Sequence, residues 1–386
     1  MKTGACSLVA VVVLAAGMRG QPAPRVPVFA GNGLVHVLVE VDGTVKTWGN
    51  PGAMDPSVSL GDGTKPGPEV KEPRALPGVR DVVDAAVGPT QALLLKSDGS
   101  VLAWGVNDDC EVGSGDTKIR LSPIPVAGLR GVKQIAAGGS ISGAVGSDGS
   151  VWLWGSAYEG LLANGRSGRE APCAAVPQKV EGLTGVKQLA LGDPSLVLKD
   201  DGTVWGWGTN KKGELCDGTT DRHLRPIQIT SITNATAVVT GSNSLFVLAD
   251  GTVRMCGDND SGALGEAGPR RTHTTPFQVP GLTGVRAAKM NGSTTIVQLA
   301  DGTLRGWGLG WYGALGDGHG DTFSAKPRAP IGLGPVIAYY METNGSGSYA
   351  IRADGTVMTW GFPAPPGGKT EFLLTPAPAF TVKLGA

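Results

Sequence analysis

The chain has 386 residues, of which 62 are Gly and 27 are Pro, so nearly a quarter of it is poorly suited to helix and a mostly helical protein is excluded. An apolar content of 41% is enough for a core, and a charged content of 17% is lower than disordered chains carry. The 33 basic and 33 acidic residues balance, which excludes binding of nucleic acid or an anionic membrane by bulk charge.

Residues 1–20 read as a secretory signal. Lys2 gives a weak positive start, and residues 5–16 form an uncharged apolar run of twelve, too short to span a bilayer. Ala15-Ala16-Gly17 fits a cleavage site, and the absence of Cys after Ala16 argues against a lipid anchor. Residues 21–27 read as a Pro-rich linker and 28–386 as the folded domain. The expected location is therefore secreted or periplasmic, with no membrane association after cleavage. Export leaves Cys110, Cys173, Cys216 and Cys256 where they can pair; three pairings are possible and the sequence does not choose among them. There is no C-x-x-C, and His36, His223, His273 and His319 lie far apart, so no zinc or other cofactor is expected.

An internal repeat sets the expected fold. Asp-Gly followed by Ser or Thr starts at Asp42, Asp98, Asp148, Asp201, Asp250, Asp301 and Asp354, at spacings of 49 to 56 residues. Six residues after the Asp stands a Trp-Gly pair, at Trp48, Trp104, Trp154, Trp207, Trp307 and Trp360; only the fifth unit differs, with Cys256. In the third unit, apolar runs at 132–137, 141–145 and 151–154 read as strands, with a fourth at 172–180. Asp148-Gly149 marks the hairpin between the second and third. Seven such sheets bury both faces only when set radially about an axis, so the expected fold is all-β, a seven-bladed β-propeller in one domain. Small residues such as Ala85-Ala86, Ala136-Ala137 and Ala190 suit strands crowded near a central channel.

Asp-Gly-x-Val-x-x-Trp-Gly followed by Gly-x-Leu-Gly-x-Gly, best seen at 313–318, resembles the regulator of chromosome condensation family of repeats over residues 26–386. The resemblance implies the propeller fold, here in a bacterial-type secreted member. The family often has His seven residues before the Asp; those positions are Val35, Gln91, Ile141, Pro194, Asn243, Thr294 and Gly347, so bracing has to come from elsewhere.

The Asp-Gly turns and the six Trp residues are expected to be structural, with Cys256 a smaller core residue in the Trp position. Gly368-Lys369-Thr370 lacks the glycines of a phosphate loop, and 258–262 lacks the ligand spacing of a calcium loop. Asn234, Asn291 and Asn344 begin glycosylation sequons. No nucleophile or metalloprotease motif is present, so the chain reads as a non-enzyme. The variable loops after Trp-Gly fall together on one face. Tyr158, Trp311 and Tyr312 are the leading contact candidates there, with Arg270 and Arg271 and further arginines at 166, 169, 222 and 225. The expected function is an exported monomer binding a protein or polysaccharide, without nucleic acid. A version of this reading resembles the secreted β-lactamase-inhibitor members of the family, whose repeats are shorter and more uniform. The alternatives are guanine-nucleotide exchange or a regulatory role, as the family name implies, and an enzyme with a site on one face.

Overall fold

Alternating strands that bury both faces can be satisfied only by neighbours on both sides, and the repeat supplies those neighbours in a closed ring. The computed structural model describes residues 26–50, 58–65, 67–168, 172–268, 271–320, 322–342, 347–362 and 372–385. The signal segment, most of the linker, Arg169, Arg270, the sequon at Asn344 and the 368–370 motif lie outside these residues. Seven four-stranded antiparallel sheets form the blades, each from one contiguous stretch: 28–75, 82–125, 132–179, 186–228, 235–278, 285–328 and 338–381. Blade 3 is built from Val132–Gly138, Ile141–Gly146, Val151–Gly155 and Ala174–Lys179, within two residues of the ranges expected from sequence. The first strand of each blade packs on the first strands of its neighbours around the axis, and the fourth forms the rim.

Each Asp-Gly turn closes its hairpin as expected. In blade 3 the Asp148 carboxylate accepts hydrogen bonds from the Ser150 amide and hydroxyl at 2.9 and 2.6 Å, and Gly149 adopts φ +75°. Gly149 also lies against Gly185, and its carbonyl accepts the Val186 amide of blade 4 at 3.0 Å, so a side chain there would collide with the next blade. Hydrogen bonding to the neighbouring Thr or Ser holds these exposed carboxyls below their usual pKa.

The repeat Trp residues are wedges between blades. Trp104, Trp154, Trp207, Trp307 and Trp360 are all buried, and each indole Nε1–H donates to a loop carbonyl of the preceding blade: Ser59, Glu111, Leu161, Ala263 and Ala314, at 2.8 to 3.1 Å. Below four of these rings lies a loop glycine with positive φ, at Gly61, Gly113, Gly265 and Gly316, where a Cβ would come within 2.8 to 3.2 Å of the indole; below Trp207 the position is held by Ala163, also at positive φ. Between blades 4 and 5 the wedge is replaced: Cys256 is bonded to Cys216, which occupies that loop-glycine position at φ +57°. The expectation that Cys256 is simply a smaller core residue is corrected accordingly. The second disulfide, Cys110–Cys173, joins blades 2 and 3.

Side-chain amides provide the bracing that the missing His positions left open. Gln134 holds the Leu189 amide and carbonyl at 2.9 Å each, joining blades 3 and 4, and Gln188 holds those of Val238 at 3.1 and 2.6 Å, joining blades 4 and 5. Asn32 donates to the Gly88 carbonyl and Gln91 to those of Gly138 and Ile141. Asn291 likewise donates to the Glu342 carbonyl and is 5% exposed, so the sequon that it begins is internal; Asn234, by contrast, is exposed.

Among the described residues no strand is shared between blades 7 and 1 to close the ring, since both are made from their own contiguous strands. An aromatic cluster fills this seam instead. Phe29 of blade 1 contacts Trp48, Tyr340, Tyr349 and Phe380 at centroid distances of 5.3 to 6.1 Å, and the Tyr340 hydroxyl donates to the Pro27 carbonyl at 2.8 Å.

Every rim strand also carries a proline: Pro73, Pro123, Pro177, Pro226, Pro276, Pro327 and Pro376. In each blade it lies where the register between the third and fourth strands shifts, so the ladder loses no donor that it needs.

Candidate interaction face

Because the strands run alternately up and down, the turn after each first strand and the long loop after each Trp-Gly emerge on the same face. In blades 2, 4 and 5 an Asn placed three residues after the Trp or Cys braces the long loop. Asn107, Asn210 and Asn259 accept the amides of Val112, Leu215 and Leu264 at 2.8 to 3.0 Å and donate back across the loop. This Trp-Gly-x-Asn signal is readable in the sequence once the repeats are stacked. Blades 3 and 6 have Ala157 and Gly310 there instead; their tips form one-turn 3-10 helices, Tyr158–Gly160 and Trp311–Gly313, as does the Asn259-braced tip of blade 5 at Asp260–Gly262.

Stacking the loops puts one structural position side by side in five blades. The tip pairs are Asp108-Asp109, Tyr158-Glu159, Lys211-Lys212, Asp260-Ser261 and Trp311-Tyr312. The braced loops thus present charge or polarity, and the two unbraced loops present aromatics. Lys211 and Arg222 reach back to the Glu159 carboxylate at 3.7 and 2.5 Å, and Lys212 pairs with Asp258 at 3.0 Å, so the polar tips are tied to neighbouring blades. Asp258 and Asn259 are thereby committed to an ion pair and a loop brace.

Trp311, Tyr312 and Tyr158 are 56%, 43% and 44% exposed. The structure does not bring all three together, since Tyr158 stands three blades from Trp311. It adds instead Phe362 and Phe372 of blade 7, which sequence reasoning missed: the Tyr312 ring lies 6.0 and 4.9 Å from them, and they are 5.4 Å apart. Phe323 and Leu374 are also exposed along this border of blades 6 and 7. Arg271 is exposed, and its carbonyl accepts the Asn259 amide at 2.9 Å; Arg166, Arg222 and Arg225 are exposed.

The histidines have structural partners. His223 pairs with Asp217 and His273 with Glu266, both at 2.8 Å, and His319 lies 3.4 Å from Asp317. Asp116 makes the corresponding loop contact with Arg120, which holds its carboxyl down at about 2. His36 is at the seam, 3.4 Å from Glu342. Burial lowers His36 to about 4 and pushes the Glu342 carboxyl well up.

In the channel, Lys289 is 2% exposed with its Nζ 4.9 Å from the Tyr340 ring centroid; burial lowers it to about 8, opposed by the charge of Asp84. Burial raises Asp84 in turn to about 7. Among the described residues no group of three or more His, Cys, Asp or Glu is arranged to hold a metal, and a cavity between blades 1 and 2, lined by Asn32, Gln91 and Trp104, has room for about one water. The broad, varied loop face is therefore the region best suited to recognition.

Known proteins share this architecture. The chain is 32% identical over 260 residues to human HERC2, an E3 ubiquitin-protein ligase, matching 64% of this chain and 5% of HERC2, so it spans only a small part of that relative. It is 28% identical over 308 residues to the Arabidopsis thaliana ultraviolet-B receptor UVR8, covering 77% of this chain and 68% of the receptor. Among solved structures, yeast Prp20p superposes with a TM-score of 0.74 at 21% identity, over 89% of this chain and 87% of Prp20p, in work that describes its binding to Gsp1p and histones. Human WBSCR16 gives 0.76 at 22% identity, over 88% of this chain and 94% of that protein. The RCC1-like domain itself matches residues 44–365, from the hairpin of blade 1 into blade 7, and the chain belongs to that family.

Proposed function

We propose that the chain is an exported, non-enzymatic propeller that holds a protein partner on its loop face, with the border of blades 6 and 7 as the anchor. The observation that carries this reading is the clustering of Tyr312, Phe362 and Phe372 at the rim of that face, with Trp311 next to Tyr312 in the chain and both substantially exposed at the loop tip. Exposed aromatics that become buried on binding dominate interface energetics. Proteins of the same fold support a protein ligand, since Prp20p is described as binding Gsp1p and histones. Balanced charge disfavours nucleic acid. Export is supported by the apolar run at 5–16 and by two disulfides, which persist in oxidising compartments.

The test is capture from the native host with wild-type protein and the Trp311→Ala/Tyr312→Ala variant, followed by titration of the captured partner. Loss of an aromatic anchor should weaken Kd about 30-fold, equivalent to about 2 kcal/mol. Unchanged affinity in a variant with native circular dichroism would remove the anchor assignment. Export is tested separately on protein from the host: a chain with residues 1–20 intact and all five cysteines as free thiols would instead favour the intracellular regulatory reading.

A further inference from the structure

Both disulfides occupy contacts that the other blades make without sulfur. Cys256 replaces the Trp wedge and Cys216 the glycine beneath it, so their bond spans the space where an indole otherwise packs on the preceding blade. Cys110 replaces the first loop glycine, the position of Gly160, Gly213, Gly262 and Gly313, each of which lies against the rim strand of the next blade. Its partner Cys173 directly precedes the rim strand Ala174–Lys179 of blade 3. Cys216 and Cys256 are fully buried and Cys110 is 1% exposed, whereas Cys173 is only half-buried. Thiol–disulfide exchange requires a thiolate to reach one sulfur in line, so exposure controls which bond opens.

We propose that the two disulfides form a graded redox latch. A small dithiol opens Cys110–Cys173 in the folded protein, and Cys216–Cys256 yields only after the seam between blades 4 and 5 parts. In the first step one reagent thiolate attacks Cys173 Sγ, and Cys110 leaves as a thiolate that takes up a proton. The second reagent thiol then displaces Cys173, giving a cyclic disulfide; the dithiol loses two electrons and the protein gains two thiols. Opening this first tier removes the covalent tie between the rim of blade 3 and the blade 2 tip that carries Asp108 and Asp109, immediately before Cys110, while Asn107 still braces the loop and the ring stays closed. The loop face would thus lose a covalent tie at its acidic corner in reducing surroundings without unfolding. This inference is independent of the identity of the partner.

The test treats the oxidised full chain with dithiothreitol in native buffer, quenches with iodoacetamide over time, and maps the alkylated cysteines by mass spectrometry. Cys110 and Cys173 should label at least about tenfold faster than Cys216 and Cys256, with the gap closing in denaturant. Equal rates, or the reverse order, would overturn the proposal. A second measurement addresses what the inner bond replaces. The Cys216→Gly/Cys256→Trp variant should melt above Cys256→Ala, because it restores the wedge and its donation to the Glu214 carbonyl. A folded double variant that melts no higher than Cys256→Ala would show that the bond does not stand in for the wedge.

Discussion

Two arcs of the ring solve the same packing problem by different chemistry. From blade 2 to blade 5, neighbours are joined by two disulfides and by the two-pronged Gln134 and Gln188 clasps, and most loop tips are polar and braced. From blade 6 through blade 7 to blade 1, rings dominate, beside the amide donations of Asn291 to the Glu342 carbonyl and Gln298 to the Val336 carbonyl: Phe29, Trp48, Tyr340, Tyr349 and Phe380 inside, and Tyr312, Phe362 and Phe372 at the surface. The difference falls where the chain ends meet. Among the described residues neither a strand exchange nor a disulfide crosses the seam, and closure there is carried by burial of apolar area, of which aromatic side chains provide the most per residue.

The largest break in this contrast should come from Phe29→Ala, which removes a ring touching four others. A loss of about 3–5 kcal/mol is expected by chemical denaturation, with proteolysis starting near blade 1. On the polar arc, Gln188→Ala should cost less, about 1–3 kcal/mol, by leaving the buried Val238 amide and carbonyl without partners, and its effect should add to that of Phe29→Ala. Coupling between the two would mean that the arcs do not behave independently.

The seam also predicts a dependence on pH. Burial raises Glu342, so the stability tied to its neutral form is complete below the unfolded value of 4.5 and is lost as pH rises above it. Burial lowers His36 from 6.5 to about 4, so its contribution is complete above 6.5 and lost as pH falls toward 4. Glu342→Gln should therefore raise Tm relative to wild type by an amount that grows with pH above 4.5, while the acid-side loss from His36 remains. A constant offset across pH 4 to 9 would contradict this account. The smallest stability effect is expected at the surface: Trp311→Ala/Tyr312→Ala should change stability by no more than about 1 kcal/mol, measured alongside the binding assay.

The ring was legible because hairpins and wedges leave local marks. Asp148-Gly149 and Trp154-Gly155 sit at fixed offsets along one strand pair, so a single sequence displays them. The clasps were not legible, since Gln134 acts on a backbone amide 55 residues away and nothing near Gln134 signals it. The disulfides fall between these cases. Cys216 and Cys256 are 40 residues apart and look unrelated until each is placed at its repeat position, where one is seen to replace a glycine and the other the tryptophan above it. On the loop face, the sequence places Tyr158, Trp311 and Tyr312 in the loops after Trp-Gly, and there the structure finds all three exposed. Phe362 and Phe372 were not, because folding of the last blade brings them to Tyr312.

The seven rim prolines bear on what can attach to the molecule. An exposed sheet edge is a template on which an extended peptide, or the edge of another copy, can continue the ladder. Here every edge is interrupted near its middle by a residue with no N–H, at a point where the strand already bulges away from straight pairing. The circumference is thus closed to strand addition and to side-by-side polymerisation, leaving the flat surfaces of the disc for binding. In the five rim strands with one proline, replacing it would open a single docking edge, whereas blades 2 and 7 carry a second at Pro125 and Pro378; this offers a way to engineer oriented assembly without altering the loops.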